Sequence, residues 1–510
     1  MSAVRHLSAL IVATALLLAV LAGGCSGSRE APRVVIASKS FTESVILGEL
    51  LAQLAATEGV APRHRAGLGG TQLVFNALVA GDVDAYVEYT GTLRYQVFAG
   101  LDEAVEADLA GLLAARGIGI AGELGFGNHY ALGMPEARAE ALGIRRISDL
   151  VDHPALVFRF SNEFMGRADG WTALRERYAL PQTDVRGVEH DIAYRAVASG
   201  LADLTDVYTT DAEIAHYRLR ALDDDRGHFP RYDAVLLYRL ELAERAPAAL
   251  TALRQVLGRL DETQMTAMNA AVKLEGRAEA EVAAAFLREG LGLSPGPVHV
   301  EGRTSRVLAR TAEHLFLVGV SLGVAVLVAV PLGIFAARRP RLGQAVLGVV
   351  GVGQTIPALA LLVIMVPVFG IGPMPALVAL FVYSLLPIVR NTHAGLTGIQ
   401  SSLLESADAL GLPRSARLWR IELPLAAPTV LAGIKTAAVI NVGGATLGAL
   451  VGAGGYGQPI LTGIRLDDTA LILEGAIPAA LLALLVQGLF ERGERALLPG
   501  PRFRRAARLR

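Results

Sequence analysis

The chain has 510 residues, which at roughly 150 residues per domain suggests about three domains. Hydrophobic residues make up 53% of it and charged residues 19%, so it is more apolar and less charged than an ordinary soluble protein. The formal net charge of -1 excludes the strong positive field typical of proteins that bind nucleic acid. The single cysteine excludes a disulfide framework, a four-cysteine zinc site and an iron–sulfur cluster.

The first 25 residues have the layout of an export signal. Arg5 precedes an apolar run from Leu7 to Leu21, and small residues then lead to Cys25. This arrangement resembles a bacterial lipoprotein signal, in which the cysteine would be lipidated. An uncleaved signal anchor is the alternative interpretation. Both interpretations place the following domain, predicted over residues 26–291, outside the cytoplasm.

Residues 26–291 alternate short apolar runs with amphipathic helical stretches, a pattern typical of an α/β domain. The strand-like run Val34–Ala37, followed by a predicted helix over Ser44–Thr57, is one example. A stretch rich in glycine and proline, Gly292–Pro297, then predicts a linker over residues 292–312.

The C-terminal half predicts an all-α membrane domain over residues 313–498, followed by a basic tail over 499–510. No Asp, Glu, Lys or Arg occurs from Leu342 to Val389, and about 20 apolar residues suffice to cross a bilayer. The apolar runs predict about five spanning helices: Leu315–Ala337, Val346–Phe369, Ala376–Val389, Thr429–Val451 and Ala470–Phe490. Arginines cluster after the first, third and fifth of these, which by the positive-inside rule places these clusters in the cytoplasm.

A polar segment between the third and fourth predicted helices carries a spaced motif. It reads Glu405-Ser-Ala-Asp-Ala-Leu-Gly411 and, further on, Ile421-Glu-Leu-Pro424. A short helix, a glycine turn and a second helix that ends at the proline would make a rigid projection able to dock on another protein. The sequence has no Gly-Lys dipeptide, so it lacks the phosphate-binding loop of an ATPase.

This segment resembles the cytoplasmic coupling motif of permeases from ATP-binding-cassette importers, with Ser406 as the one departure. The resemblance implies a separate ATPase subunit, present in two copies. Because five spans are too few to enclose a pathway, it also implies a homodimer through the membrane domain. The implied ATPase-coupling residues are Glu405, Ala407, Gly411, Ile421, Leu423 and Pro424.

Several segments of the α/β domain, among them Ser38–Glu43, Tyr86–Thr92, Gly125–Tyr130 and Asp206–Asp211, resemble the two-lobed binding proteins for glycine betaine and choline. A quaternary ammonium has no N–H to donate, but aromatic faces attract it, at about 2 kcal/mol or more when it is desolvated. A betaine also carries a carboxylate, which needs cationic or hydroxyl donors.

The resemblance implies a cage of four tyrosines, Tyr89, Tyr130, Tyr208 and Tyr232. It assigns the carboxylate of the ligand to Lys39, Thr92 and Arg167. Asn128 stands where some relatives place an aspartate near the ammonium, which leaves the choice of cation open. For Arg167, an ion pair with Asp169 at the surface is the alternative.

Together these features predict a two-lobed α/β domain of the periplasmic-binding-protein type II fold, followed by an all-α polytopic membrane domain. The predicted function is a fused binding and permease subunit that imports quaternary ammonium osmoprotectants such as glycine betaine, choline or carnitine. The predicted location is the bacterial inner membrane, with the binding domain on the periplasmic side. An importer for an amino acid or ergothioneine, or a membrane chemosensor, are the alternatives. We expect no enzymatic activity, cofactor, metal or nucleic acid.

Overall fold

The computed structural model describes residues 33–99, 108–296, 302–466 and 468–497. The predicted signal segment with Cys25, and the basic tail over 499–510, lie outside the described residues. The described chain separates into two compact units, one formed by residues 33–296, 464–466 and 468, and the other by residues 302–463 and 469–497.

The first unit alternates strands and helices along the chain, as the sequence pattern predicts. It begins with β1 (Arg33–Ala37), α1 (Thr42–Thr57), β2 (Ala61–Arg65), α2 (Thr71–Ala80), β3 (Ala85–Tyr89), helical turns over Thr90–Thr92 and Leu93–Val97, α3 (Leu109–Ala114) and β4 (Ile118–Gly127). It continues with β5 (Tyr130–Pro135), α4 (Glu136–Leu142), a 3-10 helix (Ile147–Asp152), β6 (Phe158–Ser161), α5 (Asn162–Gly166), α6 (Trp171–Tyr178), β7 (Val185–Val188), α7 (His190–Ala198), β8 (Thr205–Tyr208), α8 (Ala212–His216) and β9 (Leu219–Leu222). It closes with β10 (Asp233–Arg239), α9 (Leu240–Arg245), α10 (Pro247–Leu253), a 3-10 turn (Arg254–Val256), α11 (Glu262–Lys273) and α12 (Glu279–Glu289).

These elements form two lobes. The first lobe contains a five-stranded mixed sheet of order β2-β1-β3-β10-β4, in which β10 runs antiparallel between β3 and β4. The second lobe contains a three-stranded sheet of order β8-β5-β9 and the parallel pair β6-β7. The chain crosses from the first lobe to the second between β4 and β5, and returns between β9 and β10. Side chains at both crossings therefore meet at the junction of the lobes.

The core of the first unit is built from apolar side chains of α1 and of the central strands. Val34 and Ile36 of β1, together with Leu50 of α1, are fully buried. Strand β3 is buried along its whole length, which is why its one charged residue, Glu88, needs a partner inside the protein. The helix α11 starts at a capping box made by Asp261 and Gln264.

The second unit is all-α, as the sequence predicts. Its helices are α13 (Arg303–Arg338), α14 (Pro340–Thr355), α15 (Ala358–Phe369), α16 (Pro373–Thr397), α17 (Ser401–Ala409), α18 (Arg414–Arg417), a π-helical turn (Leu418–Glu422), α19 (Leu423–Gly444), a 3-10 turn (Ala445–Val451), α20 (Gly457–Leu466) and α21 (Thr469–Leu497). Among the described residues, four helices are long and apolar enough to span a membrane, or five if the bent pair of α14 and α15 counts as one span.

The second predicted span is not one straight helix. It is the pair of α14 and α15, which bend by 94° at the break between them. Pro357 lies at this break and has no N–H to donate, and it disfavours helical geometry at Ile356, the residue before it. The expectation of a continuous helix over Val346–Phe369 was therefore wrong, because the apolar run extends through the proline.

The segment of residues 401–424, which we call the coupling segment, also differs in one respect from expectation. Gly411 makes the predicted turn after α17, in a left-handed conformation with φ of 70°. Pro424, however, does not end a helix. It is the second residue of α19, directly after the π-helical turn, within a helical segment that runs on from Arg414 to Val451.

Candidate functional site

Strand pairing in the second lobe places two of the predicted cage residues side by side. In the antiparallel register of β5 and β8, Tyr130 lies directly opposite Tyr208. Their ring centroids are 4.9 Å apart in an edge-to-face arrangement, and their hydroxyl oxygens lie 3.3 Å apart. The contact is therefore a consequence of strand register, in which opposed side chains share one face of the sheet.

The crossings between the lobes bring in the third tyrosine, Tyr232. Its ring centroid lies 5.5 Å from that of Tyr130, again edge to face. Its backbone N–H donates to Nδ1 of His129 at 3.1 Å, and its carbonyl accepts from the N–H of Asn128 at 3.0 Å. Gly91 leaves room for this ring, since a Cβ there would lie 2.4 Å from Cδ1 of Tyr232. His129 thus holds the backbone of a cage candidate.

The fourth tyrosine, Tyr89, joins the others through a residue that sequence reasoning missed. Phe41 lies between Tyr89 and Tyr208, with ring centroids 6.3 Å from each. Phe164 and Phe229 add further rings, at 5.3 and 6.2 Å from Tyr130. We call these seven side chains the aromatic cluster: Phe41, Tyr89, Tyr130, Phe164, Tyr208, Phe229 and Tyr232.

Arg167 lies against this cluster and is also paired with Asp169. Its Nε and Nη2 donate to the two carboxylate oxygens of Asp169 at 2.8 and 2.9 Å, and its Nη1 donates to Gln96 at 3.0 Å. Its guanidinium carbon lies 5.2 Å from the ring centroid of Tyr130 and 5.4 Å from that of Tyr232. The pair is buried, so the alternative of an ion pair with Asp169 was wrong in placing that pair at the surface.

Lys39 lies on the Tyr89 side of the cluster. Its Nζ is 2.5 Å from a carboxylate oxygen of Glu88 and 4.9 Å from the ring centroid of Tyr89. Thr92 is buried in the helical turn that follows β3, three residues beyond the end of that strand. Tyr86 donates to the other oxygen of Glu88 at 3.2 Å, so it turns toward that carboxylate.

Glu43 is another residue that sequence reasoning missed. Its buried carboxylate accepts hydrogen bonds from the hydroxyls of Tyr89 and Thr210 and from the amides of Asn128 and Asn269, both at 3.0 Å. Burial raises the pKa of Glu43, and the hydrogen bonds from Thr210, Tyr89 and Asn269 oppose that rise. Asn128, predicted to contact the ligand, thus has its amide nitrogen directed to Glu43.

His190 packs against the ring of Tyr208. The two rings stack with centroids 4.4 Å apart and an interplanar angle of 27°. Nε2 of His190 lies 3.0 Å from Asp211, whose same oxygen accepts the backbone N–H of Tyr208 at 3.1 Å. A cleft adjoins this region and is lined by Phe41, Glu43, Ser161, Glu163, His190 and Tyr208.

The coupling segment has buried apolar residues and, at its surface, large apolar side chains that are exposed. Ala407 and Leu423 are buried, whereas Glu405 is exposed. Leu410, next to the glycine turn, is 79% exposed, and Trp419 in the π-helical turn is 55% exposed. Large apolar side chains exposed on a polar segment are typical of a protein-binding surface.

Taken together, an α/β domain with an aromatic cluster at its lobe junction, joined to a bundle of apolar helices, defines a solute-binding domain fused to a membrane component. Two family models match accordingly: the substrate binding domain of an ABC-type glycine betaine transport system over residues 32–289, and the inner membrane component of binding-protein-dependent transport systems over residues 329–499. The chain belongs to these transport families, as the sequence predicted.

Similar proteins are named as permeases. The chain is 40% identical over 193 residues to the choline transport system permease protein OpuBB of Bacillus subtilis (strain 168), covering 38% of this chain and 89% of that protein. It is 42% identical over 212 residues to the osmoprotectant import permease protein OsmY of Salmonella typhimurium, covering 41% and 88%. A solved glycine betaine/carnitine/choline ABC transporter structure aligns at 26% identity and a TM-score of 0.44, covering 50% of this chain and 98% of that one.

Proposed function

We propose that the chain is the receptor and the translocation subunit of one importer for quaternary ammonium solutes of the glycine betaine, choline and carnitine type. The convergence of Tyr130, Tyr208 and Tyr232 at the lobe junction carries the proposal, with Phe41 and Tyr89 beside them. Several aromatic faces around one point attract a cation that has no hydrogen to donate.

The polar end of the ligand is assigned to Lys39, Thr92 and Arg167. In this proposal a ligand carboxylate shares the guanidinium of Arg167 with Asp169 and the ammonium of Lys39 with Glu88. Charge-assisted hydrogen bonds of this kind are stronger than neutral ones, so a zwitterionic betaine would be held at both ends. Choline, which lacks the carboxylate, would depend more on the aromatic faces.

The membrane half is proposed to work as a homodimer with two copies of a separate ATPase, docked on the coupling segment through Leu410, Trp419 and their neighbours. The four or five candidate spans among the described residues of each chain are few for an enclosed pathway, which supports the dimer. We propose that the binding domain lies on the periplasmic side of the membrane and that the coupling segment faces the cytoplasm. Mass measurement of the detergent-purified chain should give two copies, and a monomer that transports in liposomes would refute the dimer.

The aromatic cluster is tested by calorimetric titration of the full chain in detergent with glycine betaine, choline, carnitine, proline betaine and ergothioneine, with histidine as a control ligand. We expect Tyr208→Leu to weaken binding of the preferred cation about thirty-fold, because leucine keeps apolar volume but loses the π-face, worth about 2 kcal/mol. Tyr238→Leu is the matched control, since Tyr238 is a buried tyrosine of β10 outside the cluster.

The outcomes separate the candidate ligands. Binding of one or more methylated ammonium compounds that is lost in Tyr208→Leu and kept in Tyr238→Leu supports the proposal. Preference for ergothioneine would mean that the substrate is this methylated cation rather than glycine betaine, choline or carnitine. Binding of histidine, or of none of these solutes by a folded chain, would contradict a quaternary ammonium site.

A further inference from the structure

Glu422 occupies an unusual position in the coupling segment. It stands between Ile421 and Leu423, two residues of the spaced motif, at the end of the π-helical turn that leads into α19. It is a carboxylate with only 7% of its surface exposed, although it lies in a segment rich in exposed polar side chains. A shielded charge is costly unless it is paired, so the contacts of Glu422 are informative.

Its two oxygens contact two arginines from different elements. Oε1 accepts from Nε of Arg417, in α18, at 2.7 Å. Oε2 lies 3.4 Å from Nη2 of Arg338, the last residue of α13. Arg417 in turn donates through Nη1 to both oxygens of Asp408, in α17, at 2.7 and 2.8 Å. The four side chains Asp408, Arg417, Glu422 and Arg338 thus form one continuous series, which we call the charge chain.

The charge chain connects the coupling segment to the end of a long apolar helix. Asp408 lies in the motif helix α17, and Arg338 ends α13, a 36-residue helix long and apolar enough to span the membrane. Apolar side chains also join these regions, with Ile334 and Leu418 packed against one buried cluster. Apolar packing has no preferred direction, whereas hydrogen-bonded ion pairs fix the orientation of the groups they join.

Isolated surface ion pairs stabilise proteins very little, but members of a network with a shielded centre behave differently. Asp408 is 60% exposed at its side chain, whereas Glu422, which receives both arginines, is 10% exposed there. Removing the charge of Glu422 leaves two arginines close together without the carboxylate between them. The centre of the chain, rather than its exposed end, is therefore where substitution has its largest effect.

We propose that Glu422 is a positioning residue that transmits displacement of the coupling segment to α13. The inference rests on the proposed docking of an ATPase on this segment. When the ATPase moves α17, Asp408 and Arg417 carry the displacement to Glu422, and Glu422 carries it through Arg338 to the end of α13. Without this link, ATP hydrolysis continues but drives less solute across the membrane.

The test uses the full chain, reconstituted with its ATPase in liposomes, with radiolabelled choline and glycine betaine as the transported probes. We expect Glu422→Gln to lower the number of solute molecules moved per ATP hydrolysed about fivefold, with ATP hydrolysis itself little changed. Arg338→Gln should act in the same direction, and the double variant should be no worse than Glu422→Gln alone. Arg339→Gln, which removes an exposed neighbouring arginine, is the matched control.

A second measurement tests the role of Glu422 without an uptake assay. In a Cys25→Ser background, spin labels at Arg339→Cys and Ser415→Cys report the distance between the end of α13 and the coupling segment. We expect Glu422→Gln to broaden that distance distribution. An unchanged distribution, or an unchanged ratio of solute to ATP, overturns the role of Glu422. Absence of ATP-driven uptake by the unsubstituted chain would instead contradict the proposed function. The distance measurement would then still show whether Glu422 connects the coupling segment to α13.

Discussion

The charged side chains around the aromatic cluster all have polar partners inside the protein. Lys39 contacts Glu88, and Arg167 forms a two-point contact with Asp169. Within the described residues no cation is paired with Glu43, whose carboxylate oxygens accept hydrogen bonds from four side chains instead. Burying a charge is tolerable only when such partners replace water. The site therefore holds its charges in fixed positions before a ligand arrives, which lowers the cost of ordering them on binding.

His190 makes the stability of the folded protein depend on pH. Burial opposes its charge, but the carboxylates of Asp206 and Asp211, 3.7 and 3.0 Å from its ring nitrogens, outweigh this and raise the pKa of His190 well above its usual value. A folded-state pKa above the unfolded one means that the stabilisation is complete below about pH 6.5 and is lost as pH rises through the folded pKa.

We therefore expect His190→Gln to lower the free energy of unfolding by about 1–3 kcal/mol at pH 6, and the difference from the unsubstituted chain to shrink as pH is raised toward 10. Denaturant unfolding followed by fluorescence of Trp171, in a Trp419→Phe background, measures this, because the chain has only two tryptophans. His216→Gln, at an exposed position, is the control. A difference that stays constant from pH 6 to 10 would contradict protonation of His190.

The sequence predicted the four tyrosines but not the side chains that hold them. Resemblance in short segments pointed to Tyr89, Tyr130, Tyr208 and Tyr232, because each lies within a recognisable motif, and their contact with a ligand stays a prediction. The partners of Glu43 lie 46, 85, 167 and 226 residues away along the chain, so no local pattern brings them together. They come from β3, from the first crossing between the lobes, from the loop after β8 and from α11, so the contacts form only when both lobes are in place.

At the scale of elements, the break between α14 and α15 shows what hydrophobic patterns miss. Apolar composition predicted a spanning segment there, but the same composition fits a straight helix and a pair bent by 94°. The carbonyl of Ile356, freed by the break, accepts a hydrogen bond from the hydroxyl of Tyr383 in α16. Backbone groups without a partner are costly in a membrane, so a neighbouring helix must satisfy this one.

Tyr383→Phe tests that requirement, since it removes the hydroxyl and keeps the ring. We expect the membrane unit to lose about 1–3 kcal/mol of stability, the cost of leaving a shielded carbonyl unpaired. Thermal unfolding in detergent, followed by Trp419 fluorescence in a Trp171→Phe background, measures the loss. Thr436→Val, which removes only an exposed hydroxyl bonded within its own helix, should change little. Equal stability of Tyr383→Phe and the unsubstituted chain would show that another donor satisfies Ile356.

At the scale of the whole molecule, the binding domain and the membrane component are one polypeptide. Two family models cover separate stretches of the chain, residues 32–289 and 329–499, so every permease carries its own receptor. A tethered receptor meets its partner at an effective concentration set by the connection, in the millimolar range for short flexible linkers. Saturation of the importer with receptor would then need no free binding protein.

A protease site inserted after Gly296, together with a second one after Ser28 so that neither a lipid on Cys25 nor a signal anchor retains the freed receptor, tests the value of this connection. In liposomes that hold the chain and its ATPase, we expect cleavage followed by washing to abolish uptake of the preferred solute, because the freed receptor dilutes away. Adding the released domain back should restore uptake only at concentrations approaching about 1 mM, the range that tethering supplies. Uncleaved liposomes with the same insertions, washed identically, are the control and should keep their uptake. Uptake that survives washing, or that returns at micromolar receptor, would mean that affinity between the two parts, rather than their covalent connection, holds the receptor at the permease.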